Sequence, residues 1–400
     1  MSASAPVDPP VDPGATPTAD RALAPDVARG GMLLLIALAN VHVWGWGHPI
    51  GARGYPTDVE GVDRWVAFLQ VLLVDGRAYP LFALLFGHGV VQLAWRRGAV
   101  GMPVDAVTRL VRRRGGWLIL IGLVHGVLLW PGDIIGAYGL LAVIMAGLLV
   151  RGADGSLVAT AVAGTVLVSL LYAGTGVPTG RQTAVLPSVA LTDPAAVLVN
   201  HAFEWTVNGL FVQAFAVFGA VALGAWAARR RILDEPERHR RFLVRAAVAG
   251  IGTAVLLGLP LALVVARVWP EPSLAVGALA AFLHTVGGYA GGVGYAALFG
   301  LLALRVAARG GPGPVTGALQ ACGQRSMSCY LAQSVVFAIL LPAWALGLGD
   351  DARLWQLALL GFGAWLVILL VAVASARAGL RGPAEVLLRR LTYGPSPASR

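Results

Sequence analysis

Residues 122–141 read GLVHGVLLWPGDIIGAYGLL. Two apolar runs meet at a Pro-Gly-Asp turn, a combination that breaks one helix and starts the next. His125 lies inside the first run and Asp133 sits at the turn. Whether this hairpin belongs to a soluble core or to a bilayer depends on the sequence around it.

The chain has 400 residues, 57% of them hydrophobic and 12% charged, with a mean hydropathy of +0.74. Soluble domains lie nearer about 45–50% apolar and about 25% charged. The apolar residues here fall in runs long enough to cross the roughly 30 Å of bilayer hydrocarbon. Alternating segments of about ten residues, the mark of a membrane β-barrel, do not occur. The composition therefore predicts an all-α integral membrane protein in one bundle of about ten transmembrane helices. The spans are expected near residues 29–47, 76–95, 115–130, 134–150, 156–174, 205–228, 244–266, 275–304, 326–347 and 354–376. A single helical domain would occupy residues 25–395. It would follow a tail at 1–24, rich in Pro, Ala and Asp and expected to be disordered, and precede a short tail at 396–400. The tail lacks the basic start and early apolar core of a cleaved signal, so the first apolar run is expected to act as an uncleaved anchor.

All 30 basic residues are arginine, and the net charge is +10. The arginines fall between apolar runs, with no basic patch interleaved with aromatics, which excludes nucleic acid as a partner. Ten spans with both termini on one side place 24 arginines on that side. Six lie on the other: Arg53, Arg64, Arg77, Arg181, Arg267 and Arg353. The positive-inside rule then predicts cytoplasmic N- and C-termini in the plasma membrane. One region strains the count. Residues 65–95 are mostly apolar, and a straight helix of that length would run about 46 Å. The interruption DGRAYP at 75–80 predicts a break, with 62–74 lying along the outer interface as an amphipathic helix. In the eighth span, GGYAGGVG at 287–294 predicts a kink or close helix packing.

Ionisable groups inside a span are costly and usually face the bundle interior. By helical rise, His125 lies about 9 Å below the turn. Asp133 stands where the next helix needs a cap and serves either as a cap alone or as a cap and a functional group. Asn40, His42, Asp75, Arg77 and His284 gather at similar depth. Trp44, Trp46 and Trp130 fit an interfacial aromatic belt. His48 and His201 are expected in solvated outer loops, and His88 in a small-residue packing site. Cys322 and Cys329 form no disulfide framework. The sequence has no HxxxH, HExxH or CxxC metal motif, P-loop or GxSxG elbow, so no metal or bound cofactor is expected.

Several segments resemble a known family. APDVARGGMLLLIALANVH at 24–42 resembles the "LDxLRGxALLGILLVN" opening of the YeiB-like family, also called domain of unknown function 418. AYPLFALLFGHG at 78–89 resembles its "FxxLFSLLFGxG", and residues 112–141 resemble its "RRLLxLLxIGLLHxLLLWxGDILxxYALL". GQRSMSCYLAQSV at 323–335 resembles "GRMALTNYLLQSL", with Cys329 at the asparagine position, and LLRRLTYG at 387–394 resembles "LWRxLTYG". The opening also resembles the "LDxxRG" start of the transmembrane acyltransferase superfamily. That superfamily includes acyltransferase-3 proteins and the heparan glucosaminide N-acetyltransferase group.

This resemblance implies transfer of an acyl group from a cytoplasmic donor such as acyl-CoA to an envelope, lipid, glycan or small-molecule acceptor. His125 would be the general base and Asp133 its orienting partner. Asn40, Arg77, Tyr330 or Gln333 would bind acceptor or oxyanion, and Arg29 would meet donor phosphates or pair with Asp26. The alternative is a membrane transporter or exporter of a small molecule built on the same polar residues. The scarcity of acids within the spans argues against a proton-coupled pump.

Overall fold

The computed structural model describes residues 23–177 and 182–394. The expected tail at 1–24 thus falls outside the described residues except for Leu23 and Ala24, which already belong to the first helix, and the tail at 396–400 falls outside them too. The described chain is helical, with isolated β-bridges in place of strands. In order the helices are α1 (Leu23–Val41), α2 (Val62–Leu73), α3 (Ala78–Ala99), α4 (Val104–Leu128), α5 (Ile135–Ile144), α6 (Ala146–Arg151) and α7 (Asp154–Ala173). They continue with α8 (Pro194–Glu204), a π-helical segment (Trp205–Val212), α9 (Gln213–Arg229), α10 (Arg240–Val265), α11 (Leu274–Ala307), α12 (Pro314–Gly323), α13 (Ser326–Leu340), α14 (Leu354–Arg377) and α15 (Pro383–Tyr393).

Among the described residues, seven helical stretches are long and apolar enough to cross a membrane. The remaining expected spans fall on α4, whose first half carries Arg109, Arg112, Arg113 and Arg114, and on the shorter apolar helices Ile135–Ile144 and Ser326–Leu340. The outward surface is apolar, the reverse of a soluble fold. On α7 the residues Val158, Val162, Val166 and Leu170 form an exposed stripe, while Leu157, Ala161, Gly164 and Val168 face inward.

Helices touch through small residues, as expected where lipid supplies no hydrophobic drive between them. A Cβ at Gly164 would lie 2.6 Å from Gly219 Cα, so α7 and α9 meet backbone to backbone. The GGYAGGVG run leaves α11 unbroken over 34 residues and packs it against α10 instead of kinking it. A Cβ at Gly294 would come within 2.8 Å of the Ile251 nitrogen. The break at residues 75–80 is present. α2 ends at Leu73, residues 74–77 turn, Gly76 takes a positive φ of 75°, and α3 starts afresh with Pro80 in its first turn.

The loops sort into two ends. At one end residues 45–58, 182–193 and 341–353 fold over each other. Trp46 N donates to Gly349 O at 3.0 Å, Gly47 N to Thr183 O at 3.0 Å, and Ala343 N to Val189 O at 2.8 Å. At the other end lie the arginine-rich loops. Arg151 pairs with Asp105 at 2.8 Å, Arg229 with Asp154 at 3.3 Å, and Arg97 lies 4.7 Å from the Tyr393 ring. This grouping follows the alternation read from the arginines.

Candidate functional site

The PGD turn brings its two polar residues together. His125 Nδ1 lies 2.8 Å from Asp133 Oδ1, and both side chains are buried. The other carboxylate oxygen, Oδ2, accepts the N–H of Gly136 at 2.7 Å in the first turn of α5. Asp133 therefore caps the new helix and holds the histidine with the same group. Glycine makes room for this. A Cβ at Gly122 would lie 2.5 Å from Asp133 Oδ2, and one at Gly126 would overlap the Trp205 indole. The hairpin is thus close-packed across α4, α5 and the π-helical segment. Gly209, in the middle of that segment, sits against Pro131 O and Asp133 O. π-helical turns gather at functional sites.

His125 Nε2 is buried without a hydrogen-bond partner. The His125 ring meets Tyr330 edge-on at 5.4 Å between centroids, and the Tyr330 hydroxyl is also buried and unpartnered. Trp130 Nε1 and Tyr138 Oη are in the same condition. Buried polar groups are normally satisfied, so unpartnered atoms on the hairpin itself (His125, Trp130, Tyr138) and on Tyr330 packed against it are chemically informative. With the carboxylate accepting from Nδ1–H, the neutral ring carries its lone pair on Nε2; that tautomer is assigned from the hydrogen-bond network.

The other residues singled out from sequence divide. Tyr330 joins His125. Gln333, buried on the same helix, donates to Leu33 O at 3.0 Å and ties α13 to α1. Asn40 is half-buried near the end of α1. Arg29 pairs with Asp26 at 3.3 Å and donates to Leu85 O at 3.3 Å, at the arginine-rich end. Arg77 lies in a different cluster. Arg53 holds Asp75 with two hydrogen bonds, Nε to Oδ2 at 2.9 Å and Nη2 to Oδ1 at 2.8 Å. Arg77 donates to the backbone carbonyls of Asp75 and Ala254, and its Nη1 lies 3.0 and 3.2 Å from the two ring nitrogens of His284. Arg53 adopts a left-handed φ of 58°, an uncommon conformation for a residue with a side chain.

Three expectations are corrected. Trp44 and Trp130 do not face lipid: they are 1% and 3% exposed and stack on each other at 4.3 Å, beneath the folded-over loops. His201 is not solvated. It lies inside α8, 2% exposed, with Nδ1 2.9 Å from Val127 O. His48 is partly buried and pairs with Asp58 at 2.7 Å. His88 bonds Asp234 at 3.1 Å, as a packed histidine should. Sequence reasoning missed Glu204, which is buried at the end of α8 and accepts from both the N–H and the hydroxyl of Ser188, at 3.1 and 2.5 Å. The available signal was Asp193-Pro194, a cap followed by a first-turn proline, which starts this helix eleven residues before the apolar run.

The fold and site define a multi-pass, all-helical membrane protein with a buried His–Asp pair at the head of a helical hairpin. Residues 227–395 match the family described as "Protein of unknown function (DUF418)", in line with the resemblance to the YeiB-like family. The chain is 30% identical over 229 residues to "Uncharacterized protein YxaH" of Bacillus subtilis (strain 168), covering 49% of this chain and 56% of that protein. It is 36% identical over 129 residues to "Uncharacterized protein YeiB" of Escherichia coli (strain K12), covering 31% and 30%. The matches thus span at most about half the length of these relatives. The family region contains Tyr330, Gln333 and His284, whereas His125, Asp133 and Arg77 precede it.

Proposed function

We propose that this protein transfers an acyl group from a cytoplasmic donor such as acyl-CoA to a lipid, glycan or small-molecule acceptor, with His125 as general base. The observation that supports this is the buried His125–Asp133 contact at 2.8 Å, which leaves Nε2 unpartnered beside the Tyr330 ring. Nε2 takes the proton of the acceptor hydroxyl or amine as that atom attacks the thioester carbonyl. The tetrahedral oxyanion accepts hydrogen bonds from donors such as Tyr330 Oη and Trp130 Nε1. On collapse the C–S bond breaks, and the imidazolium returns its proton to the leaving thiolate. Asp133 orients the ring and stabilises its cationic form. Because Nε2 is sealed from solvent here, acceptor entry requires the helices around the hairpin to part.

Arg29, held by Asp26 at the arginine-rich end, is placed in this reading against the donor phosphates. That end is cytoplasmic, the protein lies in the plasma membrane, and α2 rests in the outer interface with Val62, Trp65, Leu69 and Leu73 exposed along one face. Reporter fusions after Gly155 and Arg309 should read cytoplasmic, and fusions within 180–200 external; the reverse pattern overturns the orientation. The function itself is tested by binding of acyl-CoA to purified protein, then by comparing envelope lipids and glycans with and without the gene. Saturable acyl-CoA binding and one acylated species that depends on His125 support transfer. Absence of donor binding, with a solute crossing vesicles in a protein-dependent way, favours the exporter reading.

A further inference from the structure

The transfer reaction leaves a second buried cluster unused. Two guanidiniums, Arg53 and Arg77, lie beside one carboxylate, Asp75: Arg53 holds both of its oxygens, His284 Nε2 lies 3.6 Å from Oδ2, and Arg77 reaches only that residue's backbone carbonyl. Arg77 is 0% exposed, yet among the described residues it meets only the carbonyls of Asp75 and Ala254 and the His284 ring; its Nε has no partner. A guanidinium does not shed its proton in a protein, and a buried charge without a counter-charge is among the least stable arrangements a fold can hold. The position is nevertheless a built one. A Cβ at Gly291 would lie 2.9 Å from Arg77 Cγ, and one at Gly76 2.8 Å from His284 Nε2, so glycine backbone has been cleared around both side chains.

Unpartnered polar atoms surround this surplus positive charge. His42 stacks on Tyr55 at 4.2 Å, and His42 Nδ1, Tyr55 Oη and Tyr79 Oη are all buried without partners. Beside Tyr55 opens a cavity of about 20 Å³, lined by Gly51, Ala52, Tyr55, Val264 and Arg267. That is room for about one water molecule, at the end of the bundle opposite the arginine-rich loops.

We propose that the Arg53–Asp75–Arg77–His284 cluster is an anion site that takes a single carboxylate or phosphate group, entering past Tyr55. Arg77 supplies the charge and the tyrosine hydroxyls supply donors. Asp75 keeps the two guanidiniums from repelling each other when the site is empty. The site is distinct from the His125 pair and does not rest on acyl transfer. The anion is either free in solution or the head of an anionic lipid.

The experiment is thermal unfolding of the full chain in phosphatidylcholine nanodiscs, titrated with inorganic phosphate or acetate against chloride at matched ionic strength. We expect a saturable rise in unfolding temperature with one or both oxyanions, at concentrations at least tenfold below any chloride effect. In Arg77→Gln the rise should be lost. Tyr55→Phe leaves every ion pair in place and should raise the half-saturating concentration several-fold, so it serves where Arg77→Gln does not fold. Repeating the titration in phosphatidylglycerol nanodiscs separates the sources. A higher starting temperature with no further response to phosphate identifies the lipid head, and an unchanged response identifies a free anion. The proposal is overturned if the wild type shows no saturable response to either oxyanion or to phosphatidylglycerol. It is equally overturned if the response survives in both variants.

Discussion

Replacing Asp133 separates its two roles. In Asp133→Ala the Nδ1–H of His125 and the N–H of Gly136 lose their acceptors at 2.8 and 2.7 Å, in a site with no solvent access. Each stranded donor costs about 1–3 kcal/mol, so the variant should lose roughly 2–6 kcal/mol. Total stabilities are only about 5–15 kcal/mol, so Asp133→Ala should accumulate poorly. Asp133→Asn differs in kind. Its amide oxygen can still accept from Gly136 while its NH₂ faces the ring. His125 Nδ1 must then accept, which moves the ring proton to Nε2. The fold should lose only about 1 kcal/mol, but the nitrogen proposed as base no longer has a lone pair. Turnover should fall roughly 10²–10⁴-fold. Membrane abundance and unfolding temperature give the first number, and acyl transfer from acyl-CoA gives the second. Wild-type turnover in a folded Asp133→Asn protein would refute the tautomer argument. An Asp133→Ala protein as stable as wild type would refute the buried geometry.

Gly126→Ala places a methyl on the Trp205 indole and should destabilise by about 1–3 kcal/mol or more, whereas Gly116→Ala, with open space around it, should be neutral or slightly stabilising; chemical unfolding of the pair checks this. Arg53→Gln strands the buried Asp75 carboxylate and should cost about 3–5 kcal/mol, most of it restored if Asp75→Asn is added, as a double-mutant cycle would show. For Asp234, burial pushes the carboxyl pKa up, but the hydrogen bond and charge of His88, helped by Gln92, bring it below the ordinary carboxylate value. The pair therefore contributes stability above the unfolded-state value, near 3.9, and loses it as pH falls through the folded-state value. Unfolding temperatures of wild type and Asp234→Asn should differ at neutral pH and converge in acid; a constant gap would contradict this.

The legible parts of this molecule were those written locally. Apolar run length gave the helices, and DGRAYP marked a break because no straight helix of that length fits a bilayer. His125 and Asp133 stood out because eight residues and one tight turn separate them, so the hairpin alone sets their meeting. What could not be read depended on distant contacts. Hydropathy says that Trp44 and Trp130 belong near an end of the bundle, but not that loops fold over that end and turn the two rings toward each other. Arg53 meets Asp75 only because the segment before α2 curls back onto the turn after it. His201 looked like a loop residue because the apolar run starts at 205, while the cap that begins its helix lies at Asp193.

The spacing of the His125 neighbourhood along the chain also sets an order of manufacture. Histidine and carboxylate leave the ribosome almost together and can enter the membrane as one hairpin. Tyr330 arrives about two hundred residues later, and the strap from Trp46 to Gly349 and Asp351 can close only after residue 351 has been made. A nascent chain therefore carries the His125–Asp133 pair long before it carries the cover. Truncations that stop short of residue 341 should insert, but leave that end open.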